Sequence, residues 1–253
     1  MDSAISRFPL RLWRGLVDLV TPSLCLICDG AVEEPASLCV ACWTKLRHLD
    51  EPVCNMLGTP FAYDQGEASL SAEALADPPA WDRARAAVTF NDEGARLVHA
   101  LKYRDRPEAG LLMARMMARA GRLLLSEADV VLPVPLHVFR LWQRRFNQSA
   151  YLAQQLSQLT GTPWRHDVLT RRRRTRAQVG LDQTERRRNV RNAFLVSPGQ
   201  EAVVWGKAVL LVDDVRTTGA TAEACALALR AAGAARVDLL TFALVPAPLR
   251  PHK

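Results

Sequence analysis

With 253 residues and 49% apolar content, the chain has enough nonpolar side chain for one sizeable α/β core and a small accessory module besides. No run approaches the roughly 18 uninterrupted apolar residues of a bilayer-spanning helix, which argues against an integral helical membrane protein. The formal charge of +7 is concentrated between Arg171 and Arg191, where nine arginines face only Asp182 and Glu185, and the rest of the chain balances at 24 basic and 24 acidic groups.

In chain order, residues 1–22 alternate Arg7, Arg11 and Arg14 with Phe8, Leu12, Trp13, Leu16 and Val17, the pattern of an amphipathic helix without a signal-peptide cleavage site. The cytosol is the default location for such a chain. Two seats for the helix stay open, the protein's own surface and the face of a membrane. Residues 23–63 read as a small, knuckle-rich module. Its C-x-x-C pairs, Cys25 with Cys28 and Cys39 with Cys42, stand ten residues apart. Without an export signal this arrangement points to metal rather than disulfides, and four thiolates make a closed, structural zinc site. Cys225, among alanines, has the setting of a small core residue.

Residues 64–80 are acidic, rich in small side chains and end in Pro78-Pro79, which reads as a linker. Over 81–248 strands and helices alternate. Strands are expected at 86–90, 129–132, 208–212 and 236–244. Helices are expected at 96–103, at 147–159 before Gly161, and at 220–232 before Gly233. Strands separated by helix-length connections imply a mostly parallel sheet with both faces covered.

The stretch from Val209 to Thr221 carries the chemistry. An apolar strand runs into Asp213-Asp214, and a loop through Thr217, Thr218 and Gly219 opens a helix at Ala220. Polar groups at the carboxyl edge of a parallel sheet are where α/β folds bind substrates. Amides from Thr217 to Thr221 at a helix N-terminus favour a phosphate, and the hydroxyls of Thr217, Thr218 and Thr221 add donors. The two carboxylates suit vicinal sugar hydroxyls or a Mg²⁺ held by a diphosphate.

These thirteen residues are similar to the phosphoribosyl pyrophosphate motif of type I phosphoribosyltransferases. Thr217 stands where purine-salvage members carry an aspartate, which argues against purine salvage. Further segments extend the likeness: the cysteine pairs, Lys102-Tyr103, Leu132 to His137, Gln143 to Ser149, and Gln178 to Asn189. Together they resemble the ComF competence family from about Cys25 to Leu244. The resemblance implies a type I phosphoribosyltransferase-like parallel sheet behind a zinc-ribbon-like module. It also implies a role in natural transformation, on single-stranded DNA beside the DNA-uptake machinery at the inner membrane. Where relatives carry a glycine, this chain has Arg145 after Arg144. Where they carry a further C-x-x-C-G, Leu57 takes the second cysteine's place after Cys54. The loop after the second strand is expected to hold pyrophosphate through backbone amides, and Pro133 and Pro135 leave only Val134, Leu136 and His137 as donors.

The arginine stretch allows two functions. Arg171, Arg172, Arg173, Arg174 and Arg176, then Arg186, Arg187, Arg188 and Arg191, either close over a diphosphate or track a nucleic-acid backbone together with Lys102, Arg144 and Arg145. Nine cations exceed what one diphosphate requires, which favours the polymer; a solvated basic loop is the plainer reading. Three activities follow as expectations: a ligand-binding DNA-uptake protein, an active transferase with an unidentified acceptor, or a regulator that senses phosphoribosyl pyrophosphate.

Overall fold

The computed structural model describes residues 23–66, 68–103, 106–136, 147–172 and 193–246. The helix expected over 1–22 lies outside them, as do His137, Arg144, Arg145, Arg173, Arg174, Arg176, Arg186, Arg187, Arg188 and Arg191. Chain order begins with α1 (Val40–Lys45), α2 (Ala72–Ala76), β1 (Arg83–Thr89), α3 (Asp92–Tyr103), α4 (Pro107–Ala120), α5 (Arg122–Glu127) and β2 (Val130–Pro133). It continues with α6 (Gln148–Thr160), β3 (Leu169–Arg171), β4 (Phe194–Val196), α7 (Glu201–Val204), β5 (Ala208–Arg216), α8 (Ala220–Ala231) and β6 (Arg236–Leu244).

Four strands form a parallel sheet in the spatial order β1, β6, β5, β2. The period-2 alternation of strands divides the core in two. Leu210, Val212, Leu240 and Phe242 face the layer built by α3, α4, α5 and α6. Val209, Leu211, Val237 and Leu239 face α8 and the antiparallel pair β3–β4. The zinc-ribbon segment joins the first layer directly, since Cys25, Leu26, Ile27, Cys42 and Leu46 belong to the same buried cluster.

The structure corrects several expectations. Strand β5 runs four residues past Val212, because β6 is equally long and pairs with it as far as Arg216 opposite Leu244. The acidic pair therefore sits on the last turns of an ordered strand. The expected linker contains α2, begun by Ser71, whose hydroxyl accepts the Ala74 amide at 3.3 Å. Helices α4 and α5 fill the long connection before β2 and bury Leu112, Met113, Met117, Leu124 and Leu125.

At the amino edge of the sheet lies a buried charge cluster. Asp238 on β6 is 2% exposed. It accepts two hydrogen bonds from Arg83, at 3.1 and 2.7 Å, and one from Arg236 at 3.1 Å. Glu127 completes it, taking Arg83 at 2.9 Å. This cluster joins β1, β6 and the end of α5, at the opposite edge of the sheet from the acidic pair.

Candidate functional site

The first ribbon is built from hydrogen bonds that turn the chain around each cysteine pair. Cys25 donates its amide to Gly30 at 2.7 Å, Asp29 returns one to Cys25 at 3.0 Å, and Leu24 bridges Ala31. Cys39 stands at the N-cap of α1, and Cys42 follows on its first turn. The four sulfurs lie within 4.8 Å of one another, with Cys28 and Cys39 at 3.7 Å. A tetrahedral ion with Zn–S bonds of about 2.3 Å needs sulfurs about 3.8 Å apart, so the donor set fits. The thiols respond to this crowding. Burial and hydrogen bonds from the other three cysteines push Cys42 up. Burial also acts against ionisation of Cys25, but hydrogen bonds from the Cys28, Cys39 and Ile27 backbones outweigh it and bring that thiol down to about 6. A dication resolves the competition by taking all four as thiolates. Among the described residues this is the one group of three or more such ligands.

The second site gathers at the carboxyl edge of β5. The Ser149 hydroxyl, on the first turn of α6, donates to Asp213 at 2.9 Å, and the Asp214 amide donates to the same oxygen at 2.9 Å. Asn147 caps α6 by accepting the Ser149 amide at 3.0 Å, and donates to the Val134 carbonyl at 3.2 Å. The segment Asn147 to Ser149 thus ties the loop after β2 to the acidic pair. Thr217 is exposed at the loop's rim. Gly219 adopts φ +77° as the N-cap of α8, a conformation that costs glycine little. Among the described residues the buried Thr218 hydroxyl oxygen has no hydrogen-bond partner, and Thr218 stands two positions before a 12-residue helix. A buried polar group left over in this way marks a place for a ligand or water.

Two of the expected site residues play other parts. Lys102 pairs with Asp214 at 2.5 Å, and their side chains are 18% and 14% exposed. In the protein alone its ammonium is therefore paired with the acidic pair. Val134 donates its amide to Val212 at 2.9 Å, which removes it as a pyrophosphate donor because the sheet has already taken that N–H. Leu136 closes the described part of that loop. The arginine stretch leaves and returns through one ribbon, where Arg172 donates its amide to Ala193 at 2.8 Å. Arg171 lies 5.3 Å over the Phe194 ring, so it packs on the ribbon, whereas Arg172 is exposed.

Burial and the neighbouring Asp214 carboxylate push Asp213 up to about 7, against the Ser149 hydroxyl, the Asp214 amide and Lys102. A carboxyl raised on folding holds a proton that the unfolded chain has already released. Its contribution to stability is therefore full at low pH and declines as pH rises from the ordinary carboxylate range through 7. Asparagine keeps the oxygen that accepts from Ser149 and Asp214 while removing the charge. Asp213→Asn is expected to raise the melting temperature at pH 8 by about 2–4 °C, by a smaller amount at pH 5, and to leave it nearly unchanged only near pH 3, below the ordinary carboxylate range. Equal shifts at all of these pH values would show that the charge is not the cause.

A parallel sheet with a two-carboxylate strand end and a glycine loop that opens a helix, joined to a four-cysteine ribbon, defines an α/β protein with a zinc-ribbon module. Residues 16–74 match the family model described as "Double zinc ribbon domain". The chain is 32% identical over 221 residues to the DNA utilization protein YhgH of Salmonella typhimurium, covering 85% of this chain and 88% of that one. It is 30% identical over 223 residues to competence protein F of Haemophilus influenzae, covering 85% and 94%. The chain belongs to this family of competence and DNA utilization proteins. Among solved structures, the glutamine phosphoribosylpyrophosphate amidotransferase from B. subtilis is 27% identical, with a TM-score of 0.34, over 56% of this chain and 30% of that one. No described helix is long and apolar enough to cross a membrane.

Proposed function

We propose that the loop from Thr217 to Thr221 binds the phosphate of phosphoribosyl pyrophosphate or of a DNA 5′ end, and that the arginine stretch holds single-stranded DNA during its uptake or utilization. The buried, unpartnered Thr218 hydroxyl beside the helix amides carries the first half of the reading. An anion there would take those donors, with Asp213 and Asp214 within reach of the attached sugar or of a Mg²⁺. The names of the relatives, a DNA utilization protein and a competence protein, support the second half. So does the charge, whose whole excess lies in one segment anchored beside α8.

Titration with phosphoribosyl pyrophosphate plus Mg²⁺, with single-stranded DNA, and with both together tests the reading. Affinity for the phosphoribosyl ligand should rise as pH passes 7 and Asp213 loses its proton. Release of pyrophosphate from the ligand would identify a transferase. Without turnover, an effect of the ligand on DNA affinity would identify a sensor. For DNA, Arg172, Arg173, Arg174 and Arg176 are the arginines to neutralise together, since Arg171 is engaged with Phe194. Replacing those four by glutamine should flatten the slope of log affinity against log salt by roughly 3 units, at about 0.7 per phosphate contact on a single strand. An unchanged slope would remove this segment as the DNA-holding element.

A further inference from the structure

A second ribbon follows the first and repeats its backbone without its ligands. Cys54 donates its amide to Thr59 at 2.8 Å, Gly58 returns one to Cys54 at 2.6 Å, and Val53 bridges Pro60. Position for position, this is the hydrogen-bond pattern around Cys25. The second half repeats too: Ser71 is the N-cap of α2 as Cys39 is of α1, and Ala74 follows it as Cys42 follows Cys39. Cys54, Leu57, Ser71 and Ala74 thus occupy the places of the four zinc ligands. One thiol, an aliphatic chain, a hydroxyl and a methyl do not make a zinc site. Their own contacts close the turn instead. The Cys54 sulfur accepts the Ser71 amide at 3.2 Å, Ala74 is fully buried, and Leu57 packs on the second core cluster.

This metal-free ribbon touches the phosphate loop from both sides. Upstream of the loop, Arg216 is 7% exposed, donates to the Leu57 carbonyl and lies 5.8 Å over the Trp81 ring. Burial brings its guanidinium down to about 10, still charged at neutral pH. Trp81 is itself 5% exposed and donates its indole N–H to the Met56 carbonyl at 2.9 Å. Its ring fills the space under Gly219, where an added Cβ would stand 2.7 Å from the ring edge. Downstream, Glu223 on the first turn of α8 accepts the Ala80 amide at 3.0 Å. Gly58 presses on β1 with φ +64°, and a Cβ there would stand 2.7 Å from the Ala84 carbonyl. The knuckle therefore sits hard against the sheet and holds the upstream end of the loop through Arg216, while Ala80 and Trp81, just after the ribbon, meet α8 and Gly219.

We propose that the second ribbon has exchanged its metal for packing and serves as the fixed seat of the phosphate loop, with Trp81 and Arg216 as the positioning residues that set the amides of Thr217, Thr218 and Gly219. Neither side chain need touch the ligand. The first ribbon, by contrast, joins the opposite face of the sheet and depends on zinc. The assignment deepens the anion-site reading above, and its first readout needs no ligand.

The full-length, zinc-loaded protein, Trp81→Ala, Trp81→Phe and Arg216→Met are compared by amide hydrogen exchange at Thr217, Thr218 and Gly219, then by titration with Mg²⁺–pyrophosphate. In Trp81→Ala and Arg216→Met, exchange at these amides should speed up by on the order of tenfold or more, while amides in the centre of β5 keep their protection. Trp81→Phe keeps a ring under Gly219, so it should fall between, and it carries the test if Trp81→Ala fails to fold. Pyrophosphate affinity should fall in the same order. Unchanged loop exchange in the folded variants overturns the seat, whatever the titration shows. Faster exchange, with no pyrophosphate binding by the unmodified protein, keeps the seat and overturns the anion reading. Zinc analysis should find about one ion per chain in all four proteins, and two would overturn the metal-free ribbon.

Discussion

Replacement of Cys39 by serine is expected to empty the first ribbon of zinc and unfold it, the largest single effect of any substitution considered. Its own apolar contribution is small, chiefly Leu26, Ile27 and Leu46 beside the buried cysteines. A segment of that size does not hold itself together by burial. Structural zinc supplies about 10–16 kcal/mol in isolated finger peptides, and a serine hydroxyl does not replace a thiolate ligand at neutral pH. Zinc content should fall from about one ion per chain towards zero, and protease sites between residues 23 and 50 should open. The sheet domain should melt close to its original temperature, since its two clusters extend well beyond the ribbon. Acid should act like the mutation, because protons compete with the metal for the sulfurs. Cys39→Ser protein that kept one zinc per chain and resisted protease in this region would contradict the four-thiolate site.

Asp238→Ala is expected to cost about 3–5 kcal/mol, because it leaves two arginines facing the space of a buried carboxylate. Arg83 would keep Glu127, which is 38% exposed and screened by water, and would lose its two bonds to Asp238. Arg236 would lose its bond to the same group. For a chain of this length the melting temperature should drop by on the order of 10 °C. The cluster is a feature of stability and lies at the amino edge of the sheet, so pyrophosphate affinity in the folded protein should not change. Replacing Arg83 and Asp238 together by methionine and leucine should recover part of the loss, since Arg83 no longer needs a partner while Arg236 keeps only Glu127. A double variant no more stable than Asp238→Ala would show that the charge left on Arg236, and not the Arg83 pair, sets the cost.

Local chemistry made the chain's main parts legible. Short, largely apolar runs in Val209 to Val212 and Arg236 to Leu244, with helix-length spacing between strands, implied the parallel sheet. The tetrad Cys25, Cys28, Cys39 and Cys42 implied the zinc ribbon by spacing alone, and the structure brings those four sulfurs together. Helix α4 was missed, although Ala109, Leu112, Met113, Met116 and Met117 recur at the helical period and could have marked it. The three-residue strands β3 and β4 were not legible, because so short a run shows no period. The helix within residues 64–80 was not legible for a related reason: a five-residue helix in a polar stretch announces itself only through its Ser71 cap.

What the sequence determined by itself was therefore the set of chemical parts: a closed thiolate site, an acidic pair before a glycine that opens a helix, and an excess charge confined to one segment. Tertiary structure decided how those parts are employed, because each decision joins residues far apart in the chain. Lys102 pairs with Asp214, and Val134 gives its amide to Val212 and not to pyrophosphate. Ser71 closes on Cys54 where a metal would have done so, and Trp81 fills the space beneath Gly219. Spacing along a chain reports ligands that one turn can gather. Burial, and the partners it leaves for each polar group, depend on which strands lie side by side.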